Sequence, residues 1–294
     1  MRLFAHIDDI DQISVFSNPN VDVIITEPVY SYKHPHLQTK AEFWKVLKSC
    51  LKQQLPTYIE INGFIEENQL EGLKPWIKDL MDYPIQGFYF ADLSVLMLLN
   101  ELGYQGEKIF APETILTNTF EVRTYLESVD RVMISKELTL EEILVICSAF
   151  PNKVEIFGAG HLQMSVSKRP LLSNYLSLIQ KEQPTLNQTN YRLREMKRQE
   201  KMPILEEANT FCVFTQGILN PLEELPQLQE TQCFGIHFDP LFINKEDAKE
   251  YFELILNQIK SHDSKKIEAF THKTSLPLFK GYFYRKTNLS KEKV

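Results

Sequence analysis

Glycine is scarce, 10 in 294 residues, about half the usual share of roughly 7%. Little material is therefore left for a glycine-rich phosphate cradle, and the chain holds neither a GxGxxG fingerprint nor a P-loop. HExxH and GxSxG are also missing, so neither a zinc-peptidase helix nor a serine nucleophile elbow has its motif. The four cysteines, Cys50, Cys147, Cys212 and Cys233, lie far apart without a CxxC pair. That spacing suits neither zinc nor an iron–sulfur cluster, and reduced thiols are the expectation. No apolar run approaches the roughly 20 residues of a membrane helix, and the opening MRLFAHIDDIDQ turns acidic before a signal-peptide core forms. These absences predict a cytoplasmic protein that does not enter a membrane. The net charge of −7 excludes a uniformly cationic coat but permits a local basic patch.

What is present is the composition of a packed domain, 43% hydrophobic and 24% charged, with short β-branched or aromatic runs alternating with stretches of helical periodicity. Eight strands are predicted: 2–6, 21–26, 57–62, 87–91, 108–111, 131–134, 153–157 and 233–238. Between them Lys40 to Gln54 places Phe43, Val46, Leu47, Cys50 and Leu51 on one helical face. Thr39 with Glu42 and Thr139 with Glu142 read as capping boxes. Cys50 and Cys147, each on an apolar helix face, read as core fillers. The predicted fold is α/β, a (β/α)8 TIM-like barrel forming one domain over 1–294. An insertion at about 162–232 is expected to carry a helix (171–181), a basic segment and a hairpin (203–206, 210–214), and a tail is expected from about 275.

Chemistry in such a barrel belongs at the C-terminal ends of the strands. In TYIEIN, Tyr58, Glu60 and Asn62 share a side, so Glu60 points into the barrel. The same parity applies to Glu155 and His237, while Glu27, Asp92, Glu113 and Asp239 fall just past strand ends. Glu60, Asp92, Glu155, His161, His237 and Asp239 are the candidate catalytic residues of the mouth, as general acids and bases; helix caps and internal salt bridges are their ordinary alternative. Ser165, Ser167, His161, His237 and Asp239 also supply the residue types of a nucleophile, base and orienter. No metal site is expected: His34 and His36 read as solvated loop residues, and of His6, Asp8 and Asp9 the acids suit a helix N-terminus. Lys168, Arg169, Tyr191, Arg192, Arg194, Lys197 and Arg198 form a candidate RNA-binding set, arginine for phosphate and tyrosine for stacking. The alternative for YRLREMKRQEK is a solvated helix face. Arg285, Lys286, Lys291 and Lys293 of the tail either extend the patch or belong to a frayed end.

The segment EIFGAGHLQMSVSKRPLLS, through Glu155, Phe157, Gly160, Leu162, Ser167, Leu171, Leu172 and Ser173, resembles the signature of the collagenase-like peptidase family U32. Ala159 stands where that signature has histidine, Lys168 where it has glycine, and Gln163 and Pro170 where it has cysteines. RVMISKELTLEEIL, PILEEANTFCVF, FDPLFINKEDAKEYFELI and GYFYRKT are similar to further family segments in the same order. The resemblance implies a distorted eight-fold barrel and a peptidase label without an assigned catalytic type. Several relatives act instead in oxygen-independent hydroxylation, of ubiquinone precursors or of tRNA uridine, and carry a four-cysteine iron–sulfur cluster. A short and a long paralogue often occur together, and this chain looks like the short one. With Gln163 and Pro170 at cysteine positions, the resemblance implies no cluster here. It points to a cluster-less accessory of tRNA hydroxylation, with tRNA and a longer cysteine-bearing paralogue as partners. A collagenase-type peptidase acting on a peptide substrate, or a scaffold without chemistry, is the alternative.

Overall fold

A computed structural model describes residues 1–182, 186–197, 199–208 and 210–285. Eight parallel strands form the barrel: β1 (Arg2–His6), β2 (Val21–Thr26), β3 (Thr57–Ile61), β4 (Gly87–Phe90), β5 (Glu107–Phe110), β6 (Arg131–Met133), β7 (Val154–Ser167) and, later in the chain, β11 (Gly235–Phe238). Each pairs with the next, and β11 pairs with both β7 and β1, so the sheet closes. The predicted (β/α)8 architecture is therefore the fold. Around it lie α1 (Ile10–Phe16), α2 (Lys40–Lys52), α3 (Leu70–Met81), α4 (Leu93–Glu101), α5 (Thr119–Leu126), α6 (Leu140–Ala149) and α9 (Lys245–Lys260). Both predicted capping boxes are formed, at Thr39 and Thr139.

Strand parity sorts side chains into two apolar populations. Outward residues such as Leu3, Val23, Ile59, Phe88, Val132 and Ile236 join the helix faces in the main core, which also buries Cys50 and Cys147. Inward residues Phe4, Ile24, Tyr58, Tyr89, Ile109 and Met133 form a smaller cluster in the barrel lumen. Branched apolar side chains ordinarily fill that lumen. Here polar groups share it.

The seventh strand departs from the prediction, which ended it at Phe157. It runs on to Ser167, because nothing from Gly158 to Ser167 breaks it, while Gly160 (φ +140°) lets it bend out of the barrel. Beyond Gly160 it pairs antiparallel with β10 (Thr210–Leu219), which also pairs with β9 (Met202–Glu207). The insertion is thus an extension of a barrel strand into a second sheet. α7 (Leu171–Leu178) follows it, shorter than predicted. YRLREMKRQEK is not a helix face: its described residues form the two-residue β8 (Arg192–Leu193), paired with β9, and turns. α8 (Leu225–Glu230) leads back to β11, and α10 (Ser264–Lys273) leads to β12 (Leu278–Phe279), which pairs with β10. The tail is docked as far as it is described, with Phe283 buried and its carbonyl accepting from Leu140 N.

Glu207, at the end of β9, accepts from the backbone N–H groups of Lys33 (2.7 Å) and His34 (3.0 Å), in the loop after β2. Lys168 reaches Glu66 and the Phe64 carbonyl in the loop after β3, and Arg192 lies over Phe242 in the loop after β11. The second sheet is a roof over one side of the barrel mouth.

Candidate functional site

Charged and polar groups cross the lumen in one connected series. At the N-terminal end Glu107 Oε2 accepts from Tyr58 Oη (2.6 Å) and pairs with Arg131 (2.7 Å). Arg131 also donates to Glu155, which is fully buried in the lumen. Glu155 accepts further from Tyr89 Oη (2.7 Å) and His237 Nε2 (2.7 Å). His237 Nδ1 lies 3.1 Å from His6 Nε2, and His6 Nδ1 lies 3.9 Å from Glu60 Oε2. Glu60 accepts from Thr26 Oγ1 (2.6 Å) and Asn62 Nδ2 (3.1 Å) at the mouth. Burial would raise Glu155, but the His237 hydrogen bond and the Arg131 charge outweigh it and hold the carboxylate below its ordinary value. Burial lowers His6 despite the opposing pull of Glu60 and Asp239, which keeps its ring neutral.

The series ends in a small cavity of about 20 Å³ lined by His6, Thr26, Lys33, Glu60, Asp239 and Leu241. Through Lys33 the cavity adjoins a second charge group. Lys33 and Lys136 both donate to Glu113, and all three side chains are nearly buried. Burial would raise Glu113, yet the two ammonium groups outweigh it and hold it far below the usual carboxylate range. Lys33 (φ 67°) and Glu113 (φ 70°) both adopt left-handed backbone. Such strain, at about 1–3 kcal/mol a residue, persists where surroundings over-determine it and gathers at working sites.

The candidate residues thus divide. Glu60 and Asp239 line the mouth; Glu155 and His237 sit deeper and reach it through His6. Asp92 caps α4, accepting from Ser94 N and Ile65 N. Glu27 likewise holds its loop, accepting from Val29 N, Tyr30 N, Ser31 Oγ and Trp76 Nε1. His161 lies on the roof, where its Nδ1 donates to the Thr215 carbonyl (2.8 Å) and faces neither Ser165 nor Ser167. His34 is buried, contrary to the solvated reading, and His36 pairs with Asp8 (2.8 Å). Sequence reasoning missed Arg131 and Tyr89 and considered His6 only as a metal ligand. Period-two parity with Phe4 on the same strand was a signal that could have placed His6 in the lumen.

On the roof Lys168, Arg169, Arg192, Arg194 and Lys197 are exposed, Lys168 being paired with Glu66. Tyr191 packs against the apolar cluster of Met202, Ile204, Phe211 and Val213 rather than standing free to stack. Arg198, Lys286, Lys291 and Lys293 lie outside the described residues. Cys50 lies in the α2 face, Cys147 and Cys233 in the main core, and Cys212 in a separate cluster with Tyr32, Leu205 and Phe214. Gln163, on the roof strand, donates weakly to Tyr32 Oη (3.4 Å). Four thiols so distributed do not fit an iron–sulfur cluster. Among the described residues no group of three or more His, Cys, Asp or Glu is arranged to hold a metal ion, and no helix is long and apolar enough to cross a membrane.

The model of peptidase family U32 matches residues 11–291. Similar curated proteins include tRNA hydroxylation protein P2 of Bacillus subtilis, 21% identical over 194 residues, covering 65% of this chain and 63% of that protein. An uncharacterized protease of Methanocaldococcus jannaschii is 27% identical over 47% of this chain and 35% of its own length. tRNA hydroxylation protein P1 of Bacillus subtilis is 25% identical over 41% and 29% respectively. The matched segments thus span less than two thirds of each relative. Among solved structures, a U32 peptidase superposes with a TM-score of 0.50 at 9% identity, covering 81% of this chain and 92% of that one, a likeness of fold.

Proposed function

The chain belongs to peptidase family U32, and from that premise we propose that it serves tRNA uridine hydroxylation as a component without its own iron–sulfur cluster. A longer, cysteine-bearing paralogue would supply the redox step, and this chain would present its mouth and roof to the tRNA. The observation that carries the reading is the position of the basic residues. Arg169, Arg194 and Lys197 are exposed on the segment whose neighbours Lys168, Arg192 and Glu207 contact the mouth loops. Cations able to engage phosphates therefore stand on the roof that packs against the mouth loops, and those loops border a cavity lined with acid–base groups. Similarity to two tRNA hydroxylation proteins supports the same direction. Of the four thiols Cys147 and Cys233 adjoin while Cys212 lies in a separate cluster, and this distribution supports assigning electron transfer to a partner.

The peptidase reading rests on the family label and on the similarity to a protease. Among the described residues the geometry lends it no activated nucleophile: His161 faces a carbonyl, His6 pairs with His237, and His237 pairs with Glu155, rather than with a serine or cysteine.

Nucleoside mass spectrometry of tRNA from a deletion strain tests the proposal. Loss of 5-hydroxyuridine, restored by the wild-type chain, is expected. An unchanged nucleoside profile would remove the reading.

A further inference from the structure

The lumen series fixes where protons sit. Glu155, held as a carboxylate by Arg131, accepts from His237 Nε2, so that nitrogen carries the His237 proton. With His237 neutral, its other nitrogen, Nδ1, is an acceptor 3.1 Å from His6 Nε2, which then donates. A single proton on the neutral His6 ring is thereby committed to Nε2. Its Nδ1, facing Glu60 at 3.9 Å, is beyond hydrogen-bond reach and keeps a free lone pair. That lone pair borders the cavity of about 20 Å³. A space of roughly 10–15 Å³ with two to four polar partners accommodates a water-sized group.

We propose that His6 is the proton acceptor of the barrel mouth, taking a proton through Nδ1 from a water molecule or a ligand hydroxyl seated in this cavity, with His237 and Glu155 as its positioning residues. In the step the ligand O–H bond breaks, an Nδ1–H bond forms, and the electron pair remains on oxygen. The resulting oxyanion shares the cavity with the Lys33 ammonium. The resulting imidazolium gains the nearby Glu60 carboxylate and, through His237, the Glu155 charge. The groups facing His6 are Glu60 from β3, Asp239 and His237 from β11 and its following loop, and Lys33 from the loop after β2. Burial lowers the proton affinity of His6, so the lone pair is available at neutral pH. Of the tRNA reading, the assignment needs only the modification assay below.

Long-range ¹H–¹⁵N correlation on the full chain labelled at histidine nitrogens reads the tautomer directly. At neutral pH His6 is expected to show an unprotonated Nδ1 and a protonated Nε2, with Nδ1 gaining its proton only below the ordinary histidine value of 6.5. A protonated Nδ1 at neutral pH, whether from the other tautomer or a charged ring, would overturn the proposal. His237→Phe keeps a ring against Phe4 and leaves Glu155 paired with Arg131. In that variant the His6 proton is expected to distribute over both nitrogens; an unchanged tautomer would sink the positioning role. In the deletion strain, His6→Gln should fail to restore 5-hydroxyuridine while His272→Gln, altered at an exposed position of α10, restores it. Full restoration by His6→Gln would refute the base. Should the deletion leave 5-hydroxyuridine intact, the tRNA reading falls alone and the tautomer decides the proton acceptor.

Discussion

Glu155 takes hydrogen bonds from an arginine, a tyrosine and a histidine within the lumen, and each donor would lose its acceptor if the carboxylate were removed. Glu155→Ala also leaves Arg131 with one buried partner fewer. A loss of about 3–5 kcal/mol is expected, as for other broken buried pairs, and a lowered urea midpoint at unchanged slope would register it. Glu113 carries the acid side of stability. Its folded value lies below the ordinary 4.5 because Lys136 and Lys33 outweigh the effect of burial. The stabilisation is therefore complete above about pH 4.5 and declines as the pH falls toward the folded value. Lys136→Met should shrink this contribution, so stability measured from neutral pH down to pH 3 should lose less in the variant than in the wild type. Residue positions were legible in part. Alternation in TYIEIN turned Glu60 inward, and the same reasoning put Glu155 and His237 in the barrel. Parity gives the face of a strand but not the height along the lumen, so both were read at the mouth although Glu155 lies deeper. Arg131 opens its strand beside Asp130 and carries no local mark of its buried partner 24 residues later.

The elements followed the sequence wherever a local signal ended them. Thr139 accepts from Glu142 N while Glu142 accepts from Thr139 N, so the start of α6 was visible from two residues. Thr139→Ala should cost about 1 kcal/mol, seen as a lower Tm. The course of β7 was not visible, since its continuation depends on β10, more than 40 residues downstream, and no turn signal marks where it leaves the barrel. Gly160 makes the departure possible. A Cβ there would stand 2.6 Å from the Asp239 carbonyl oxygen, on backbone at φ +140°. Gly160→Ala should therefore cost about 1–3 kcal/mol and displace Asp239 at the mouth. Thermal unfolding checks the first effect, and chemical-shift change confined to the mouth loops checks the second.

On the scale of the whole molecule, the barrel, its helices and the roof together hide every thiol. Cys50, Cys147, Cys212 and Cys233 are all buried, and burial pushes Cys50 up to about 12. A disulfide-exchange reagent should find almost no reactive sulfur in the native protein at neutral pH and four on adding denaturant. Prompt native reaction of even one thiol would show that its shell opens readily. Eight-fold closure was readable because each βα unit repeats the same alternation, whereas the roof arises from one unit departing from that repeat. β7 belongs to both bodies at once: Glu155 lies on its barrel half and Ser165 on its roof half, some ten residues on. At roughly 3.3 Å a residue the stretch is at most on the order of 30 Å long, with its bend at Gly160. The carboxylate behind His237 and the floor of the outer sheet are thus carried on one unbroken backbone.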